Sequence, residues 1–279
     1  MSIISSTAHS SGDASFYPFE IGSSLRFDGS SYLSRTSNSS STDHDKYTMS
    51  MWVKKTTVAS NETYLSAGAG SSVNYGTYFG TDFHVTSKLS FTAYYNNTTP
   101  WFVSSAGVQR DTSSWYHYVV VMDQNNDVLS NTIKIYINGV LDSLTVGGYP
   151  DPAHTSEINE PSTIHNIGRR SGLSDKYFTG YMAEINFIDG QALNPYYLGE
   201  FKNGSVWIPK QFDGTASDTT YNVSGASNAY GTNGFRLSFA LSDFNTSGSA
   251  ATDPHGSSTN VPDGYVADAS GSGNHWDIN

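Results

Sequence analysis

Cysteine is absent from this chain of 279 residues, so neither a disulfide nor a thiolate metal site can hold its fold. Charge is scarce as well. Asp, Glu, Lys and Arg together make up 14% of the residues, against about 25% in an average globular protein. Only 14 residues are basic against 25 acidic, a net charge of −11, and Arg169-Arg170 is the only arginine pair. That balance speaks against a nucleic-acid surface, which needs a clustered basic footprint. No apolar run approaches the roughly 18 residues of a membrane-spanning helix, so membrane insertion is not expected. Met1-Ser2-Ile3-Ile4 runs straight into Ser, Thr, His and Gly, with no basic stretch and no long apolar core. It is not read as a signal peptide, and synthesis in a cytoplasm without a secretion tag is expected. Apart from a single turn near Asn194, no stretch shows the 3.6-residue period of an amphipathic helix.

What is present is aromatic and hydroxyl-rich. Aromatic residues make up 14%, including 19 Tyr, on a background of Ser, Thr, Asn and 26 Gly. Such a surface suits an extracellular or virion protein in salt water, where screening weakens charge steering. The dominant period is two. Tyr47, Met49 and Met51 share one face of a strand over 47–53. Residues 115–122, nearly all apolar or aromatic, predict a central strand, and 132–137 predicts its neighbour. Asn138-Gly139 is the strongest short hairpin signal, and 141–146 is expected to pair back. Asp28-Gly29 between Leu25-Arg26-Phe27 and Tyr32-Leu33 also reads as a hairpin.

Between 60 and 110, short runs alternate with Gly/Asn turns, and Asn96 to Pro100 reads as a hairpin loop. Residues 147–163 hold three prolines and read as a long bridging loop. Strands follow at 164–167 and 177–188. Asn194-Pro195 caps an expected helical turn reaching Phe201. The division expected is an N-terminal arm at 1–22, a domain at 23–201 and an appendage at 202–279. The arm is expected to dock through Phe16, Tyr17 and Phe19, with about its first dozen residues a disordered tail. The appendage carries short β runs at 206–209 and 234–239 and is expected to lie on the sandwich or on a neighbour.

Five pieces in order carry a family resemblance: Ser24 to Leu33, Tyr47 to Val53, Trp115 to Val121, Ile133 to Val140 with its Tyr-Ile-Asn-Gly hairpin, and Phe178 to Leu193 with a Gly-x-x-x-Glu strand. Together they resemble the laminin G-like, concanavalin A-like jelly-roll family over about residues 24–201. The fold implied is all-β, a two-sheet antiparallel jelly-roll sandwich, followed by a mostly irregular appendage. Glu184 to Leu193, Trp207 to Lys210, Tyr230 to Phe235 and Asp268 to Trp276 are similar to laminin G-like proteins of marine bacteriophages, carried in tail fibres or on capsids. Longer relatives continue into further modules where this chain ends at Asn279, which suits a stand-alone virion component.

Laminarinase-type glucanases share this fold and place two Glu on one strand, about 5–5.5 Å apart for a retaining reaction. Here Glu184-Ile185-Asn186-Phe187-Ile188-Asp189 replaces the middle acid by an amide and shortens the last, and Asp189-Gly190 reads as a turn. No catalytic residue is assigned. The histidines lack ligand spacing, and Asp43-His44-Asp45 reads as a solvated loop. No metal site and no cofactor are assigned. The resemblance implies calcium as an option, with 123–127 and 147–163 as candidate loops. Sugar recognition needs exposed rings plus amides, and Tyr75, Tyr78, Tyr94, Tyr95, Asn96, Asn97 and Trp101 form the best cluster. The same alternating aromatics can equally fill a sandwich core, although adjacent Tyr94 and Tyr95 must point to opposite faces.

The function expected is a non-enzymatic phage virion protein, structural or decorative, on capsid or tail. Its expected partners are other virion proteins and copies of itself, a trimer for example, and host surface glycans. A carbohydrate-binding adhesin of a tail fibre is the second reading and a glycan hydrolase the third.

Overall fold

The computed structural model describes residues 2–5, 17–58, 61–68, 75–81, 88–95, 98–149, 155–173, 175–213, 230–258 and 260–279, with backbone alone for 2–5, Tyr75, Thr98 and Pro100. The strands run, in chain order, Ser2–Ser5 (β1), Ser23–Asp28 (β2), Leu33–Thr36 (β3), Lys46–Lys55 (β4), Thr63–Ala67 (β5), Tyr75–Thr81 (β6), Leu89–Tyr95 (β7) and Thr98–Ser105 (β8). Next come Tyr116–Asp123 (β9), Ile133–Ile137 (β10), Val140–Leu141 (β11), Leu144–Val146 (β12), Ile164–Ile167 (β13) and Thr179–Asp189 (β14). Gly199–Lys202 (β15), Val206–Pro209 (β16), Phe235–Leu237 (β17), Phe244–Asn245 (β18), Tyr265–Val266 (β19) and Trp276–Ile278 (β20) complete them.

They form two antiparallel sheets packed as a jelly roll. The first has the order β1-β2-β14-β4-β9-β10-β11, with β17 also on β14; the second runs β12-β8-β7-β6-β5-β13-β3-β20-β19-β18. β15 and β16 pair with each other. The period-two patterns decide which side chains face inward. Tyr47, Met49, Met51 and Val53 of β4, with Tyr118, Val120 and Met122 of β9, meet Phe79, Phe91, Trp101 and Val103 of the opposite sheet in one buried core. That core also takes Phe235, Leu237, Phe239, Val266 and Trp276, so the last fifty residues contribute to both sheets and to the interior between them.

Four local expectations are corrected. The Asp28-Gly29 signal does not close a hairpin: β2 lies in the first sheet and β3 in the second. One oxygen of Asp28 accepts the backbone N–H groups of Ser30 and Ser31 at 3.0 and 2.9 Å, which rounds the chain from one layer to the other. Residues 141–146 do not simply pair back. β11 pairs with β10, but β12 pairs with β8 across the sandwich. The turn after Asn194 is a single 3-10 turn, Pro195–Tyr197, capped by the Asn194 side chain as expected, and Gly199 already belongs to β15. At the N-terminus, residues 2–5 pair with β2 as an edge strand where a disordered tail was expected.

The two sheets differ in what lies on their outer faces. On the first, the outward Val119, Val121 and Ile188 are covered by Leu193, Tyr197, Leu198, Phe212 and Tyr230. Beside them the buried His117 is stacked between Trp52 and Trp207, with ring centroids 4.7 and 5.9 Å away. That face is therefore interior. The second sheet carries no comparable apolar cover among the described residues, and its outer face positions the candidate site.

Candidate functional site

On β6 and β7 the core takes Phe79, Phe91 and Ala93, so alternation turns Tyr78, Thr92 and Tyr94 outward. The register sets Ser66, Tyr78, Thr92 and Phe102 in one row across β5 to β8. Gly76 stands opposite Tyr94, and Gly80 opposite Ser90 and then Ser104. Small residues thus make a floor from which Tyr78, Tyr94 and Phe102 rise, each half-buried. The Tyr78 and Tyr94 rings stack at 5.7 Å with 24° between planes. Cross-strand geometry explains this: with glycine opposite Tyr94, the diagonal neighbour Tyr78 can lean over the gap.

Residues 168–173 and 175–177, between β13 and β14, fold against this face. Ser66 Oγ donates to the Arg169 carbonyl at 2.8 Å and accepts the Ser171 N–H at 2.8 Å. Arg169 lays its guanidinium 3.5 Å over the Tyr32 ring, and Arg170 holds Asp175 through two nitrogens. Lys176 adopts a left-handed backbone, φ 53°, and its ammonium sits 4.8 Å above the Tyr78 ring. Burial, then the nearby Arg170 charge, brings the Lys176 pKa down to about 8. Burial raises the Tyr78 phenol, with the Tyr94 hydroxyl adding to it and Arg170 opposing it.

The predicted cluster divides. Tyr78 and Tyr94 lie together on the outer face. Tyr95 is the strand's last residue, 42% exposed. Tyr75 pairs with it across β6 and β7, only its backbone being described. Asn96 and Asn97 lie outside the described residues, and Thr98 to Pro100 belong to β8 where a loop was expected. Trp101 is a correction: it is fully buried and stacks on Phe91 at 5.5 Å, so it offers no face to a sugar. Its strand neighbour Phe102 takes the outward position. Lys176 and Arg170 escaped sequence reading; the one signal was the Arg169-Arg170 pair, which had been weighed only against nucleic acid.

The acids of β14 are both occupied. Glu184 sits with φ 45° at a bulge between Ala183 and Asn186, and its two carboxylate oxygens meet Nε and Nη2 of Arg236 on β17. Asp189 is 1% exposed and accepts four donors: Thr42 N–H at 2.7 Å, Asp43 N–H at 3.2 Å, Asn159 Nδ2 at 2.8 Å and Asn233 N–H at 3.0 Å. These two carboxylates fasten loops and the C-terminal strands to the sandwich.

His117 is buried with its pKa lowered to about 3. An indole N–H can only donate, so the 2.8 Å bond from Trp207 Nε1 makes Nδ1 an acceptor; Nε2 then carries the proton and donates to Ser50 Oγ at 2.7 Å. At the other end of the sheet, Asp45 accepts from Gln124 Nε2 at 3.1 Å and Asn125 Nδ2 at 2.9 Å. Gln124 cannot turn its oxygen there, because that oxygen takes the Ser156 N–H at 2.8 Å. Among the described residues no group of three His, Asp or Glu side chains is placed to hold a metal.

A family model described as the concanavalin A-like lectin/glucanases superfamily matches residues 27–196. No curated protein matches the chain. Among solved structures, domain 4 of AbnA, a GH43 extracellular arabinanase from Geobacillus stearothermophilus, is similar at 19% identity and TM-score 0.46, covering 70% of this chain and 84% of that one. A SAP-like pentraxin from Limulus polyphemus is similar at 14% identity and TM-score 0.43, over 61% of this chain and 76% of its own. The enzymatically active domain of tailspike protein 2 from bacteriophage CBA120 is similar at 14% identity and TM-score 0.39, over 60% and 25%.

Proposed function

This chain belongs to the concanavalin A-like lectin/glucanases superfamily, and from that premise we propose that it is a non-enzymatic surface module of a bacteriophage virion that binds glycans on the outer face of its ten-stranded sheet. The observation that carries this reading is the Tyr78–Tyr94 stack over a floor of Gly and Ser. Aromatic rings present apolar, electron-rich faces to the C–H groups of a sugar. The lectin-like fold is common to the family. The virion setting rests on the phage-like string from Glu184 to Trp276 and on the low-charge surface.

Two observations favour binding without turnover. The Glu184 carboxylate is fully engaged by Arg236, and Asp189 already accepts four donors. A general acid must give up its proton to the leaving oxygen and a nucleophile needs a free lone pair; neither carboxylate is so placed. Other virion proteins, copies of this chain and host surface glycans are the partners this role requires.

The test is binding of the protein to a glycan array and to host cells, with calcium and with EDTA, alongside Tyr94→Ala. Saturable binding lost in Tyr94→Ala supports the reading, and EDTA sensitivity would add calcium to it. Absence of binding in both conditions overturns the glycan part. Mass spectrometry of purified particles tests the virion part, which fails if the chain is absent from them.

A further inference from the structure

We propose that the glycan bound beside the Tyr78–Tyr94 stack is anionic, with a carboxylate or sulfate group received by Lys176. The inference rests on the glycan-binding reading of this face and deepens it. Its first ground is charge placement. The chain carries −11 overall and only 14 basic residues, yet Arg169, Arg170 and Lys176 fall within eight positions of one another, with the Lys176 ammonium on the Tyr78 ring. Asp175 is the acid in that segment that answers them, and Arg170 holds it through two nitrogens. The segment is therefore net positive on an acidic protein, which draws an anion to this spot in preference to the rest of the surface.

The second ground is conformational. Lys176 holds a left-handed backbone at φ 53°, a conformation that costs a non-glycine residue about 1 kcal/mol or more and that clusters at ligand-handling positions. The strained backbone aims the ammonium over the Tyr78 ring at 4.8 Å, where the ring faces and the cation converge. The third ground is the cost of the charge itself. Burial and Arg170 both oppose protonation of Lys176, and Asp175 offsets them in part. An arriving anion relieves that opposition, so binding and protonation of Lys176 favour each other.

Matched pairs separate charge from sugar shape: oligogalacturonate against its methyl ester, and a sulfated galactan against its desulfated form, titrated into the wild-type protein and into Lys176→Gln, Lys176→Arg and Tyr94→Ala. The expected result is an acidic member bound at least tenfold more tightly than its neutral counterpart. Lys176→Gln should lose that preference, Lys176→Arg should keep it, and affinity should fall as pH rises through about 8. Lys176→Asn, which tolerates the left-handed backbone, replaces Lys176→Gln if the latter fails to fold. Equal binding of charged and neutral members, unaffected by Lys176→Gln, overturns this inference and leaves the glycan platform standing. Binding of no member overturns both.

Discussion

The indole of Trp207 donates to Nδ1 of His117 at 2.8 Å across 90 residues of sequence. This contact pins the β15–β16 hairpin on the outer face of the first sheet and leaves the imidazole neutral. Protonating Nδ1 would place two donors against each other.

Acid should therefore destabilise the protein through its buried histidines. His117 and His165 have pKa values lowered to about 3 and about 4, from 6.5. Below pH 6.5 the unfolded chain takes up protons that the folded chain refuses, so stability is lost as pH falls toward those values, at about 1.4 kcal/mol per pH unit per group. Glu62 acts in the opposite sense. Burial raises it from 4.5 to about 7, so between those values the folded chain holds the extra proton. Denaturant unfolding from pH 7 down to 4 should show a net loss that steepens below pH 4.5. In Glu62→Gln the loss should already be steep above pH 4.5; an unchanged profile would refute the assignment.

Trp101 and Tyr94 should behave as opposites. Trp101→Ala removes a fully buried ring and should cost about 3–5 kcal/mol. Tyr94→Ala should change stability by less than about 1 kcal/mol and abolish glycan binding. Thermal melts and a binding titration on the two variants check this.

Asp189→Ala should be among the most damaging single changes. It strands four donors from three separate segments, and each buried donor left without a partner costs about 1–3 kcal/mol. Hydrogen exchange should speed up first at Thr42, Asp43 and Asn233, since these amides lose their acceptor.

Glu184→Gln should weaken the fold and leave chemistry untouched. Removing one charge of a buried pair costs about 3–5 kcal/mol, here by loosening Arg236 and with it β17. Incubation of wild type and variant with β-glucans should release no reducing ends from either. Turnover by wild type that Glu184→Gln removes would establish a hydrolase.

What the sequence by itself determined is the set of strands and their inward faces. The alternation in 47–53 and the apolar run at 115–122 produced β4 and β9 nearly to the residue, and Asn138-Gly139 made its turn because asparagine and glycine accept the positive φ values, 48° and 77°, found there. These are local properties. What only the tertiary structure decided is which sheet each strand joins and which outer face, among the described residues, takes the apolar cover. The pairings of β2 with β14 and of β3 with β13 and β20 join residues far apart in sequence. Tyr78 and Trp101 show the same division: both are aromatic residues in alternating strands, and only the register of β6, β7 and β8 turned one outward and the other into the core. Lys176 reached Tyr78 across nearly a hundred residues because β13 and β14 belong to different sheets and the segment between them crosses the outer face.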